Sequence, residues 1–131
     1  MRVLLVEDLK NIQSLMADLL ASLGGEYKMV GTVPTEAEAL HWLATHRGGW
    51  DLAIVDLVLE QGSGMEVIRR CRDTAPNAHI IVFSNFVTPV IRQHCIRLGA
   101  NAAFDKNAEI AAFAAHCQTL ITPQSTAEPR A

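Results

Sequence analysis

The chain holds no apolar run approaching the roughly 18 residues of a membrane span. Its opening apolar stretch, residues 3–6, is cut off by Glu7 and Asp8, too short for the apolar core of a secretory signal. Neither a signal peptide nor membrane insertion is expected. Cysteines are few, odd in number and far apart: Cys71, Cys95 and Cys117 predict reduced, buried thiols of a cytoplasmic protein rather than a disulfide framework. The histidines His41, His46, His79, His94 and His116 show no ligand spacing with them, so no zinc site is expected. A dense Lys/Arg tract is missing as well. Net charge is −3, and the tightest basic group, Arg69, Arg70 and Arg72, reads as a solvated helix face rather than a footprint for direct nucleic-acid binding.

What is present is apolar. Half of the 131 residues are hydrophobic and only 19% are charged, which excludes disorder and suits one domain with a proper core. Strand-like runs occupy residues 3–6, 28–33, 52–55, 80–83 and 102–104. Helical spacing fills the gaps. Ile12, Leu15, Met16, Leu19, Leu20 and Leu23 give one apolar face, and Ile110, Phe113, Ala114, Cys117, Leu120 and Ile121 give another. Thr35 with Glu38 and Ser63 with Glu66 predict capping boxes, and Thr88-Pro89 predicts a capped helix start. Glycines follow the first, second and fourth helices as stops. The sum is an α/β fold, (βα)5, a doubly wound parallel sheet with flavodoxin-like strand order 2-1-3-4-5. It spans residues 1–121, and 122–131 hold too little to bury and predict a flexible tail.

In such a sheet, the carboxyl ends of all strands lie on one edge, where ligands bind. Glu7, Asp8, Asp56, Ser84 and Lys106 each follow or close a predicted strand. Folding would thus gather three carboxylates, a hydroxyl and an ammonium, a set suited to a magnesium-assisted phosphoryl acceptor. Singly, each has a plainer explanation: a turn aspartate, a loop-capping serine, a solvated lysine. Three carboxylates at close range repel and hold protons more tightly unless a cation joins them. A hard, oxygen-seeking Mg²⁺ is the natural one.

With V-E-D at residues 6–8, I-V-D at 54–56, G-S-G at 62–64, F-S-N at 83–85 and G-A-N-A-A-F-D-K at 99–106, the chain resembles the receiver domains of two-component response regulators. The resemblance implies that Asp56 accepts a phosphoryl group from a phosphohistidine of a sensor kinase or phosphotransfer protein. It implies Mg²⁺ held by Asp8, Asp56 and the backbone carbonyl of Val58, with Glu7 acting mostly through water. Lys106 would stabilise charge on the phosphoryl oxygens, and Ser84 would donate to one of them once transferred, dragging the Asn85-Phe86 loop. The protein would then be a phospho-acceptor that signals to an effector protein, not an enzyme acting on a separate substrate. Pairing into a homodimer through the last two helices and fifth strand is compatible with the same resemblance.

Several positions depart from the family. Asn107 replaces the usual proline after the lysine, predicting either a trans bond with a shifted loop or a strained cis bond. Ala103 stands where an aromatic ring usually reports phosphorylation, and Phe104 points to the opposite face. Glu60 replaces a frequent proline, predicting a freer loop, while Val58 and Phe86 predict slow self-hydrolysis by hindering water. Arg92, His94 and Arg97 on the fourth helix fit a partner surface and ordinary solvent exposure equally well. Two other readings compete: a pseudo-receiver that serves only as an interaction scaffold, and an aspartate-nucleophile phosphatase of the haloacid dehalogenase type. The latter needs a second aspartate where Val58 stands.

Overall fold

The structure is a computed structural model, described over residues 1–121; the predicted tail, 122–131, lies outside the described residues. Strands and helices alternate strictly: β1 (Arg2–Val6), α1 (Lys10–Ala21), β2 (Lys28–Val33), α2 (Glu36–Thr45), β3 (Leu52–Val55), α3 (Gly64–Thr74), β4 (His79–Ser84), α4 (Pro89–Leu98), β5 (Ala102–Asp105) and α5 (Ile110–Ile121). All pairings are parallel, in the order β2-β1-β3-β4-β5, as the sequence predicts.

Alternation along the central strands sorts side chains onto two buried faces. Leu4, Val6, Ala53, Val55, Ile80 and Val82 pack against residues of α2, α3 and α4, including Leu43, Ile68 and Cys95. Val3, Leu5, Leu52, Ile54, Ile81 and Phe83 pack against Met16 and Leu20 of α1 and Phe113 and Cys117 of α5. Ala103 belongs to the first face. Phe104 sits on the second, edge-on to Phe113 with centroids 5.9 Å apart, so it does not take the place of the missing ring.

The helix starts follow local chemistry, with two corrections. Thr35 accepts from the N–H of Glu38 and Thr88 from that of Ile91, each satisfying a first-turn donor. Ser63 instead accepts from Met65, and Glu66 turns outward to Arg69 at 2.9 Å, so the second capping box does not close. The N–H of Ser63 goes to Oε1 of Glu36 on α2 at 2.8 Å, and the N–H of Glu36 goes to the carbonyl of Gln61. The loop expected to be free for lack of proline is thereby tied to α2 at both Gln61 and Ser63. Gly62 in that loop takes φ +88°, a left-handed value that suits glycine.

Arg72 is also corrected. Rather than sitting on a solvated face, its guanidinium donates to the carbonyls of Gly99, Ala75, Pro76 and Ala78 and to Oδ1 of Asn101. It closes the end of α3 against the α4–β5 turn, leaving little of its donor capacity for an outside partner. No helix among the described residues is long and apolar enough to cross a membrane.

Candidate functional site

The ladder hydrogen bonds run past the strand ends and fix the site backbone. The N–H of Glu7 donates to Val33, that of Asp56 to Val6, and that of Lys106 to Ser84. Gly64 makes room for the acceptor strand: a Cβ there would overlap the carbonyl of Asp56, so no side chain is admitted. The result is a cleft of about 580 Å³ whose walls include Asp8, Asp56, Val58, Ser84, Phe86 and Lys106. All five polar residues that the sequence singled out converge here, though Glu7, only 1% exposed, sits behind the cleft wall.

Asp56 is held on both oxygens. Ser84 donates its hydroxyl to Oδ1 at 2.6 Å, and the backbone N–H of Val58 reaches the same oxygen at 3.3 Å. The ammonium of Lys106 lies 3.1 Å from Oδ2 and 2.7 Å from Oε1 of Glu7. The second oxygen of Glu7 accepts the N–H of Leu9, just before α1. One carboxylate oxygen from each of Glu7, Asp8 and Asp56 lies within 4.8 Å of the other two.

The electrostatics follow from burial and pairing. Burial pushes the Glu7 carboxyl above its ordinary value; hydrogen bonds from Lys106 and Leu9 oppose this, and the charge of Asp56 adds a smaller push upward. The repulsion expected from sequence is therefore present but secondary to desolvation. For Lys106, burial works against the charged form, yet its contacts with Glu7 and Asp56 prevail and raise it, keeping the ammonium protonated. The one ammonium pairs with Glu7 and Asp56, and the third carboxylate of the cluster, Asp8, has no ion pair with it, so acidic groups outnumber the cation. All-oxygen donors with excess negative charge fit a hard divalent cation such as Mg²⁺.

The family model described as the response regulator receiver domain matches residues 3–118. The chain belongs to that family. Solved receivers share its fold: the CheY component of a CheX–CheY–BeF₃–Mg²⁺ complex from Borrelia burgdorferi superposes with TM-score 0.81 at 17% identity, over 93% of this chain and 90% of that one. The receiver domain of a sensor histidine kinase from Pseudomonas aeruginosa PAO1, solved with magnesium coordinated in its active site cleft, gives TM-score 0.72 at 24% identity, over 90% and 94%. Among curated proteins, the DNA-binding transcriptional regulator NtrC of Azospirillum brasilense is 32% identical over 82 residues. That match takes in 63% of this chain and only 16% of the relative's length.

Within this receiver, the departures acquire physical content. The Lys106–Asn107 bond is trans. Asn107 uses the N–H that a proline lacks: it donates to Oδ1 of Asp105 at 2.8 Å, beside the N–H of Ala108 at 3.0 Å. Asp105 thus caps the turn carrying Lys106. Sequence reasoning passed over it, although an aspartate ahead of Lys-Asn-Ala is a recognisable side-chain turn signal. Arg92, partly exposed on α4, donates to the carbonyl of Ala103 and pairs with Glu109 at 2.9 Å. Val58 and Phe86, 73% and 78% exposed, stand at the cleft as expected.

Proposed function

We propose that this receiver accepts a phosphoryl group on Asp56 from a phosphohistidine of a sensor kinase or phosphotransfer protein, with Mg²⁺ assisting. The observation that carries the reading is the treatment of the Asp56 carboxylate, with Ser84 on one oxygen and Lys106 on the other. An ionised carboxylate needs no general base. As an Asp56 oxygen forms the P–O bond, the P–N bond to the donor imidazole breaks. The electron pair returns to the imidazole nitrogen, which takes up a proton.

Charge in such a transfer spreads over the equatorial phosphoryl oxygens. Lys106, fixed by Glu7 and Asp56, is already placed to receive it, with no reorganisation at the moment of reaction. Asp8, Asp56 and the Val58 carbonyl would hold Mg²⁺, with Glu7 behind them, and the ion would neutralise part of that charge. After transfer to Oδ1, the Ser84 hydroxyl loses its present acceptor to the acyl phosphate and turns to a phosphoryl oxygen. Asp56 is used once per event and restored by hydrolysis of the acyl phosphate, so the chain is a phospho-acceptor rather than an enzyme with a separate substrate.

The signal is then an altered protein contact with an effector, and we place it in the cytoplasm. The three described cysteines are free and buried, and burial pushes Cys71 and Cys117 up to about 12, suiting inert thiols. Transfer of labelled phosphoryl from a phosphohistidine protein, in Mg²⁺ and in chelator, tests the reading. Label should move to the wild type only with metal, and never to Asp56→Asn. Failure with several such donors would favour the scaffold reading.

A further inference from the structure

Ala103 brings no ring to β5, and a polar bridge spans the same stretch. From α4, Arg92 donates through Nη1 to the Ala103 carbonyl and through Nη2 to Oε1 of Glu109 at 2.9 Å. That same Glu109 oxygen accepts the backbone N–H of Asp105, also at 2.9 Å. The Asp105 carboxylate in turn holds two loops. Its Oδ1 takes the N–H groups of Asn107 and Ala108, and its Oδ2 takes the N–H of Val87 at 3.1 Å. The side chains of Asn107 and Asn85 join the same loops at 3.1 Å.

We propose that Asp105 is a positioning residue and that, with Glu109 and Arg92, it forms a polar relay carrying the state of Asp56 to α4. The relay rests on the phospho-acceptor reading of Asp56. It begins at Ser84, whose hydroxyl is engaged by Asp56 Oδ1. Val87 lies three residues on, and between them Phe86 takes φ 57°, a left-handed value that side-chain-bearing residues rarely adopt. This loop is therefore strained before any signal arrives, and strained backbone is held only by its surroundings. Here the Val87–Asp105 hydrogen bond is one of those restraints.

When Ser84 turns toward a phosphoryl group, the loop must either give up the Val87–Asp105 bond or pull Asp105 with it. Both change the turn carrying Lys106, because one carboxylate serves both loops. Pulling Asp105 also withdraws its N–H from Glu109, where it shares one oxygen with Arg92. Charge-assisted hydrogen bonds are short and directional, so the remaining Arg92 pair must re-aim. Arg92 belongs to α4, and the change emerges there beside the exposed Phe86 and Val90. Donated N–H groups, from Asn107 and Ala108 at Asp105 and from Asp105 at Glu109, lower both carboxyl pKa values and keep both links charged.

The test is amide hydrogen exchange over residues 86–98 in the full chain, before and after phosphorylation, beside the rate of phosphorylation itself. A merely structural role would shift exchange in both states alike; a relay alters the difference between them. Wild type should show a change of at least about threefold on phosphorylation. Glu109→Gln and Arg92→Gln should be phosphorylated within about twofold of the wild-type rate yet lose most of that change. Asp105→Asn keeps an oxygen for the Lys106 turn but sets an amide NH₂ against Val87, and should lose the change while also accepting phosphoryl more slowly. If Glu109→Gln does not fold, Arg92→Gln decides by the same readout. A phosphorylated wild type with no change over 86–98, or a folded variant at position 109 or 92 with a wild-type-sized change, overturns the relay alone. A wild type that takes no phosphoryl group from any donor overturns the acceptor reading and the relay together.

Discussion

Ser84 donates its hydroxyl to Oδ1 of Asp56 across 2.6 Å, with both residues buried at the ends of neighbouring strands β4 and β3. The Ser84 oxygen also accepts the N–H of Leu57 at 3.3 Å, which fixes the hydroxyl's direction. The acceptor and its reporter are thus joined before any phosphoryl group arrives.

Ser84→Ala should therefore separate chemistry from response. Asp56 keeps Lys106 and the Val58 N–H, so phosphorylation should slow by no more than about tenfold, the scale of one lost hydrogen bond. The conformational response of the Asn85–Val87 loop, followed by NMR shifts, should largely vanish. A full response without the hydroxyl would remove Ser84 from the switch.

Lys106→Met should harm both function and stability. Its ammonium lies between two buried carboxylates, and its removal leaves them facing each other unpaired. Loss of a partner from such a pair costs on the order of 3 kcal/mol, readable by urea denaturation in chelator at neutral pH. Phosphoryl transfer should fall on the order of 10²-fold. An unchanged unfolding midpoint would show that the pair contributes no net stability.

The two apolar side chains at the cleft predict a long-lived phosphorylated state. Val58 and Phe86 obstruct a water that must approach the acyl phosphate in line. Val58→Asn should shorten the half-life several-fold, measured as decay of the phosphorylated mass in excess Mg²⁺. A wild-type half-life of only seconds would contradict this.

At the far end of β4, the paired histidines predict acid sensitivity. Nε2 of His79 and Nε2 of His116 are 2.9 Å apart, a distance that one shared proton satisfies and two do not. Burial, then the charges of His116 and Arg72, lowers the pKa of His79, and burial lowers that of His116. A base with a lowered folded-state pKa binds fewer protons folded than unfolded, so stability rises with pH between the two values. Stability should thus be full above about pH 6.5, the unfolded value, and fall as pH drops below it. The melting temperature from pH 7.5 to 5 checks this, and His116→Gln should flatten the slope.

Periodicity made the fold legible, because buried parallel strands must be short apolar runs and their helices must cover both faces. The site was legible for a related reason: each reactive residue directly follows or closes such a run. Asp105 carries a local turn signal, but its bond to Val87 and the contacts of Arg92 with Ala103 and Glu109 join separate elements, and no spacing records those. Arg72 was misread likewise, because its carbonyl partners lie 27 residues away at Gly99 as well as nearby. Glu66 satisfied a local pattern yet found a competing partner in Arg69.

The central claim is that Asp56 accepts the phosphoryl group, and intact mass after incubation with acetyl phosphate and Mg²⁺ tests it most directly. The account predicts one added phosphoryl on the wild type, absent in Asp56→Asn and absent in chelator. An adduct that persists in Asp56→Asn, or one indifferent to metal, would contradict it.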